Sequence, residues 1–163
     1  MKKAVWSALA AAALVAIATP ANAQLATHQI NATVNINNLA RLDVSGDVNF
    51  PDTDPDLVPI MTAAAVTVSA RARVAPSQDL IVTVEAANDF FDPATMTIPV
   101  NTLNWTVGAA PFVDGTMSTS PVTLANWTGP SNQSTSQTYS LPNLWSYAPG
   151  VHTVVLTYTL ATP

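Results

Sequence analysis

Thr153-Val154-Val155-Leu156-Thr157-Tyr158-Thr159-Leu160 decides the fold class. Val154, Leu156, Tyr158 and Leu160 fall on one parity and Thr153, Thr157 and Thr159, with Val155, on the other. That period of two marks a strand with one face buried and one face wet. The same pattern recurs upstream. Val66, Val68, Ala70, Ala72 and Val74 alternate with Thr67, Ser69, Arg71 and Arg73. Leu80, Val82, Val84 and Ala86 alternate with Ile81, Thr83 and Glu85, and Leu103, Trp105 and Val107 repeat it more briefly. Near the start, Ile30, Ala32, Val34 and Ile36 interleave with Asn31, Thr33, Asn35 and Asn37.

Turn formers separate these runs: Ser45-Gly46-Asp47, the proline-bearing stretch 51–59, Ala75-Pro76-Ser77-Gln78, Asn88-Asp89, Asp114-Gly115, Gly129-Pro130-Ser131-Asn132 and Pro149-Gly150. Ala63-Ala64-Ala65 has helix propensity but leads into Val66-Thr67-Val68, where β-branching favours extension. The 13 prolines argue against long helices and belong at edges and loops of a sheet. Short strands with one polar face must hide the other against a second sheet. The expected fold is therefore all-β, an immunoglobulin-like antiparallel β-sandwich of six to nine strands. A closed barrel would explain the same alternation and is the lesser alternative. A transmembrane barrel would need strands of about ten residues with aromatic girdles.

Residues 1–23 have the three parts of an export signal in order. Lys2 and Lys3 supply the positive start, residues 8–18 the apolar core, and Ala21-Asn22-Ala23 the small-residue exit. The core is shorter than the roughly 20 apolar residues a spanning helix requires. Cleavage is expected between Ala23 and Gln24, leaving one domain over residues 24–163 and no transmembrane anchor. The expected location is outside the cytoplasm: extracellular, cell-surface or periplasmic.

Loss of the two lysines moves the formal charge from −5 to −7 and leaves Arg41, Arg71 and Arg73 as the basic residues. Such a surface repels nucleic acid and anionic lipid. The chain has no cysteine, so neither disulfides nor thiolate metal sites are available to it. About 140 residues suffice to bury roughly two-thirds of the unfolded surface and so to hold a core.

With the strands placed, three patches resemble the spore coat U family, pilin-like domains of secreted chaperone–usher systems. The first is Ile30-Asn31-Ala32-Thr33-Val34-Asn35-Ile36 followed by Val48-Asn49-Phe50; the second is residues 65–86. The third is Tyr147-Ala148-Pro149-Gly150-Val151-His152-Thr153 with the strand after it. The family's opening cysteine pair is missing, and His152 stands where Tyr is common. Trp105-Thr106-Val107 is also similar to the Trp-x-Leu signature of WxL surface domains. The resemblance implies an exported surface or fibre module, pilin-like and adhesive. It also implies self-association, or association with related subunits, by strand addition. Ile30, Ala32, Val34 and Ile36 would then be either the donated strand or the domain's own first strand.

Asp52-Thr53-Asp54-Pro55-Asp56 places three carboxylates at alternate positions, as hard Ca²⁺ ions accept. It does not complete an EF-hand, since Leu57 and Ala63 occupy the positions of the turn Gly and the bidentate Glu. The alternative is a solvated acidic turn. Trp127 and Trp145 border turns and are the candidates for ligand contact, whereas Trp105 lies on a buried parity. A concave patch shared by Trp127 and Trp145 would favour a monomeric module binding glycan or Ca²⁺ over an assembling one. His28 and His152 have no catalytic motif around them, so neither an enzyme nor a cofactor is expected. Glu85 is expected to pair with Arg71 or Arg73.

Overall fold

The computed structural model describes residues 28–91 and 97–163. The chain divides into a unit of residues 1–34 and a unit of residues 35–163. In the first, residues 28–34 form no regular element, and the export signal with its Ala23/Gln24 junction lies outside the described residues. All the described strands belong to the second unit. They are β1 (Leu39–Val44), β2 (Ile60–Thr62), β3 (Val66–Arg73), β4 (Asp79–Ala86), β5 (Asn104–Val107), β6 (Gly115–Thr116), β7 (Val122–Thr128), β8 (Ser131–Pro142) and β9 (Leu156–Ala161).

Two antiparallel sheets form the sandwich. One runs β1-β3-β8-β5-β6, with β2 continuing beside the far end of β8; the other runs β7-β4-β9. In an immunoglobulin sandwich one sheet reads A-B-E-D and the other C-F-G. Here β1, β3, β8 and β5 stand in the A-B-E-D order, and β4 and β9 stand as C and F. Among the described residues no strand pairs with the outer edge of β9, the position of G.

Alternation does the burying. In β3 the even residues Val66, Val68, Ala70 and Ala72 are buried, and in β4 Leu80, Val82, Val84 and Ala86 are, as the pattern predicts. Trp105 and Tyr139 meet edge to face in the centre, with ring centroids 6.4 Å apart. The Trp105 indole N–H donates to Val113 O at 2.9 Å. Leu103, Leu124 and Met117 complete the interior around them.

The two margins of the sandwich differ. On one, backbone hydrogen bonds link the sheets: Phe112 bridges to Ala125, and Val113 N–H donates to Leu124 O at 2.9 Å. On the other, β1 and β9 lie near each other, yet β1 pairs with β3 and β9 with β4. Leu42 and Val44 from β1 and Leu156, Tyr158 and Leu160 from β9 are only half-buried along this seam.

The structure departs from the sequence expectations in several places. Residues 28–38 contain no strand, and the first strand begins at Leu39. β7 escapes the period-two reading because a register shift opposite Val82 and Thr83 leaves Leu124 as an extra residue, so Leu124 and Ala125 are buried consecutively. β8 escapes it because two inward positions are the polar Thr135 and Gln137. Glu85 does not pair with Arg71 or Arg73: it lies in the other sheet. Arg41 with Asp43 is the ion pair among the described residues, and Arg73 Nε donates to Asn37 O.

Candidate functional site

Residues 51–58 leave the seam and return through a tight loop organised by Asp54. Its carbonyl accepts from Leu57 N at 3.1 Å and Val58 N at 2.9 Å, and its Oδ1 accepts from Asp56 N at 2.9 Å. This is the Asx turn that Asp favours. Asn143, just past the end of β8, holds the loop in place. Its Nδ2 donates to Thr53 O at 2.9 Å and lies 3.1 Å from both Thr53 Oγ1 and Val58 O. Its backbone N–H donates to Pro59 O at 2.9 Å.

Trp145 follows two residues later. Its indole N–H donates to Asp56 Oδ1 at 3.1 Å, while the residue is 71 % exposed. The ring is thus tethered at one edge with most of its surface open. Between the 51–55 and 143–152 segments lies an open trough of about 890 Å³. Phe50, Met61, Phe90, Ile98 and Leu141 give it an apolar lining, Asp52 and Asp54 a carboxylate rim, and no Lys or Arg is among the described residues that line it.

Beneath its lining, Tyr147 Oη and His152 Nδ1 are shielded from solvent and have no hydrogen-bond partner among the described residues. His152 Nε2 is 2.9 Å from Ala148 O. A carbonyl can only accept, so Nε2 carries a proton and donates it there. A second cavity of about 700 Å³ opens at the unpaired seam, against Val48, Phe50, Phe90, Leu103, Val154 and Leu156.

The structure sorts the candidate residues. Asp52, Asp54 and Asp56 share a loop, but Asp54 and Asp56 spend carboxylate oxygens on a backbone N–H and the Trp145 indole. Among the described residues no three carboxylate or imidazole groups are placed to hold a metal ion. Trp127 and Trp145 do not share a patch. Trp127 precedes β8 and Trp145 follows it, with roughly 35 Å of strand between its ends. Trp127 is half-buried and packs on the core, and its N–H has no partner among the described residues. Ile30, Val34 and Ile36 are exposed at 81 %, 79 % and 66 %, and Ala32 is exposed with them. His28 is exposed and lies two residues before Ile30.

Tyr147 was legible as an aromatic that could contact a ligand, but Asn143 was not, because only loop closure over 90 positions brings it to Thr53. A further signal was His152, which replaces an aromatic residue of the pilin-like pattern. No family model matches the chain, and no curated protein matches it.

Proposed function

We propose that this chain is an exported, non-catalytic structural or adhesive module of the bacterial cell surface, pilin-like in construction, which associates with further copies or related subunits by strand addition. The observation that carries the reading is a complementary pair of unsatisfied features. Residues 30–36 keep strict alternation yet lie outside any strand, with large apolar side chains in solvent. Among the described residues the outer edge of β9 has no strand paired to it, beside half-buried Leu156, Tyr158 and Leu160.

An exposed edge flanked by open apolar surface is a template for another chain, and natural proteins cover such edges unless they use them. An incoming alternating strand would pair with the edge and fill the seam with every second side chain, so hydrogen bonding and burial are gained together. The seam cavity, floored by Phe90 and Leu103, offers room for them.

Light scattering and electron microscopy of the purified protein test this. Linear oligomers are expected, Val34→Asp should reduce them to monomers, and an added peptide of residues 28–38 should raise the melting temperature of that variant. A strictly monomeric protein whose stability is indifferent to the peptide would overturn the reading.

A further inference from the structure

We propose that the arginine patch at one end of the sandwich docks on the acidic end of a second copy of this chain, so that copies stack head to tail. The inference rests on strand addition at the β9 edge, and adds to it a direction and a charged contact.

After Lys3 the basic residues of the chain are Arg41, Arg71 and Arg73. Strand pairing gathers all of them. Arg41 lies directly opposite Arg71, and Arg73, which ends β3, lies opposite Leu39, which begins β1. Ala70 and Ala72 point inward, so the arginines share the exposed outer face. Arg71 and Arg73 stand about 7 Å apart along the strand, with Arg41 about 5 Å across from Arg71. Like charges placed directly opposite destabilise a sheet. Asp43 neutralises Arg41, and Arg73 Nε donates to Asn37 O. Neither Arg71 nor Arg73 makes an ion pair among the described residues, so positive charge is left over for a partner. Asp79, nearby at the start of β4, accepts from the Thr128 hydroxyl at 2.7 Å.

Acid collects at the other end. Asp47 follows β1, and Asp52, Asp54 and Asp56 lie in the loop that Asn143 holds past the end of β8, all four exposed. β8 starts beside the arginines, with Ser131 opposite Ala72, and finishes at that loop, so roughly 35 Å of strand separates the two charges.

β9 sets the direction. It begins at Leu156, which lines the seam cavity together with Asp47, and finishes at Ala161, opposite Ile81 near the β3–β4 connection that follows Arg73. An added strand of residues 30–36 running antiparallel to β9, the slightly more stable pairing, would bring Ile36 to the acidic end of the acceptor. Three residues further on is Leu39, beside the donor's own Arg73, across at most about 11 Å of chain. That span is close to the screening length of about 8 Å, so the donor's arginines would feel the acceptor's Asp47 and its neighbours. A parallel strand would instead set arginines against arginines.

Because the chain has no cysteine, single engineered cysteines report the direction. Oxidation of an equal mixture of Asn38→Cys and Asp47→Cys proteins should give a disulfide-linked mixed dimer, and Asn38→Cys with Thr162→Cys should not. Arg71→Glu and Asp47→Arg should each weaken association by light scattering at least about tenfold, and the two combined in one chain should restore most of it. Association unchanged by Arg71→Glu, or a mixed dimer of Asn38→Cys with Thr162→Cys, would overturn the inference and leave strand addition standing. A wild-type protein that neither associates nor gains melting temperature from the 28–38 peptide would remove both. Heparin binding that is lost in Arg71→Glu while association is untouched would identify a polyanion site instead.

Discussion

The Tyr139 and Tyr158 hydroxyls meet at 2.6 Å across the interior, joining β8 of one sheet to β9 of the other. Tyr158 donates in turn to Gln137 Oε1 at 2.9 Å, so its oxygen accepts from Tyr139. Gln137 is fully buried, and its Nε2 has no partner among the described residues. The short chain Tyr139–Tyr158–Gln137 is therefore the polar link holding the open margin of the sandwich.

Removing the middle of that chain should cost more than removing its end. Tyr158→Phe strands a donor on Tyr139 and an acceptor on Gln137, for an expected loss of about 2–4 kcal/mol, since each buried unsatisfied group costs about 1–3 kcal/mol. Tyr139→Phe leaves the Tyr158–Gln137 bond intact, and about 0.5–1.5 kcal/mol is expected. Urea unfolding of both variants checks the order, and equal losses would refute the directional chain.

The same pair should make the protein sensitive to alkali. Burial first, and the adjoining Tyr158 second, push the Tyr139 hydroxyl far above its ordinary 10.0. Burial also pushes Tyr158 up, partly offset by its hydrogen bond to Tyr139. Both folded values are raised, so the contribution is complete below the unfolded value of about 10 and is lost as pH climbs past it. Each tyrosine then lowers stability by up to about 1.4 kcal/mol per pH unit. Melting temperatures at about pH 9 and about pH 11.5 should show the fall, with a shallower slope in Tyr158→Phe. A flat profile would contradict it.

Gly115 lies against the Trp105 indole so closely that a Cβ would overlap its six-membered ring. Gly115→Ala must displace the central aromatic residue or pull β6 from β5, and a loss of about 1–3 kcal/mol is expected. Gly129 is constrained differently: its φ of 81° opens the two-residue β7–β8 turn, and a Cβ would stand 2.9 Å from Pro76 O. Gly129→Ala should destabilise for both reasons, whereas Gly46→Ala, with open space around it, should carry only the conformational penalty. Thermal unfolding of the three variants ranks them.

Asn143 ties the 53–58 loop to the end of β8. Asn143→Ala leaves Thr53 and Val58 carbonyls without this donor, and about 1–2 kcal/mol of stability should go. Hydrogen exchange should accelerate locally at Leu57 and Val58 rather than throughout the sandwich. A uniform acceleration would mean that the loop is not a separate cooperative unit.

Calcium should add nothing to stability. Asp54 and Asp56 already spend carboxylate oxygens within the loop, and a Ca²⁺ site needs six to eight oxygen ligands. Calorimetric titration should register no binding heat and calcium no rise in melting temperature; either would show that the loop rearranges around the ion.

What the sequence determined by itself was whatever rests on neighbours two residues apart. Alternation located β3, β4, β5 and β9, predicted which of their side chains face inward, and placed Trp105 in the core. Turn chemistry placed a turn at Gly129-Pro130, although Ser131 and Asn132, read as part of it, begin β8, and composition carried the expectation of a fold without disulfides. Tertiary structure alone decided the rest, because the deciding contacts join residues far apart in the chain. A bulge hid β7, and a buried Gln137, acceptable only because Tyr158 reaches it from the other sheet, hid β8. Residues 30–36 have the same alternation as β9, yet pairing needs a neighbour to accept the backbone hydrogen bonds, and the described residues provide none. Likewise nothing in the wording of the chain separates Trp127 from Trp145. Only folding puts one against the core and the other, fastened to Asp56 across 89 positions, on the rim of an open trough.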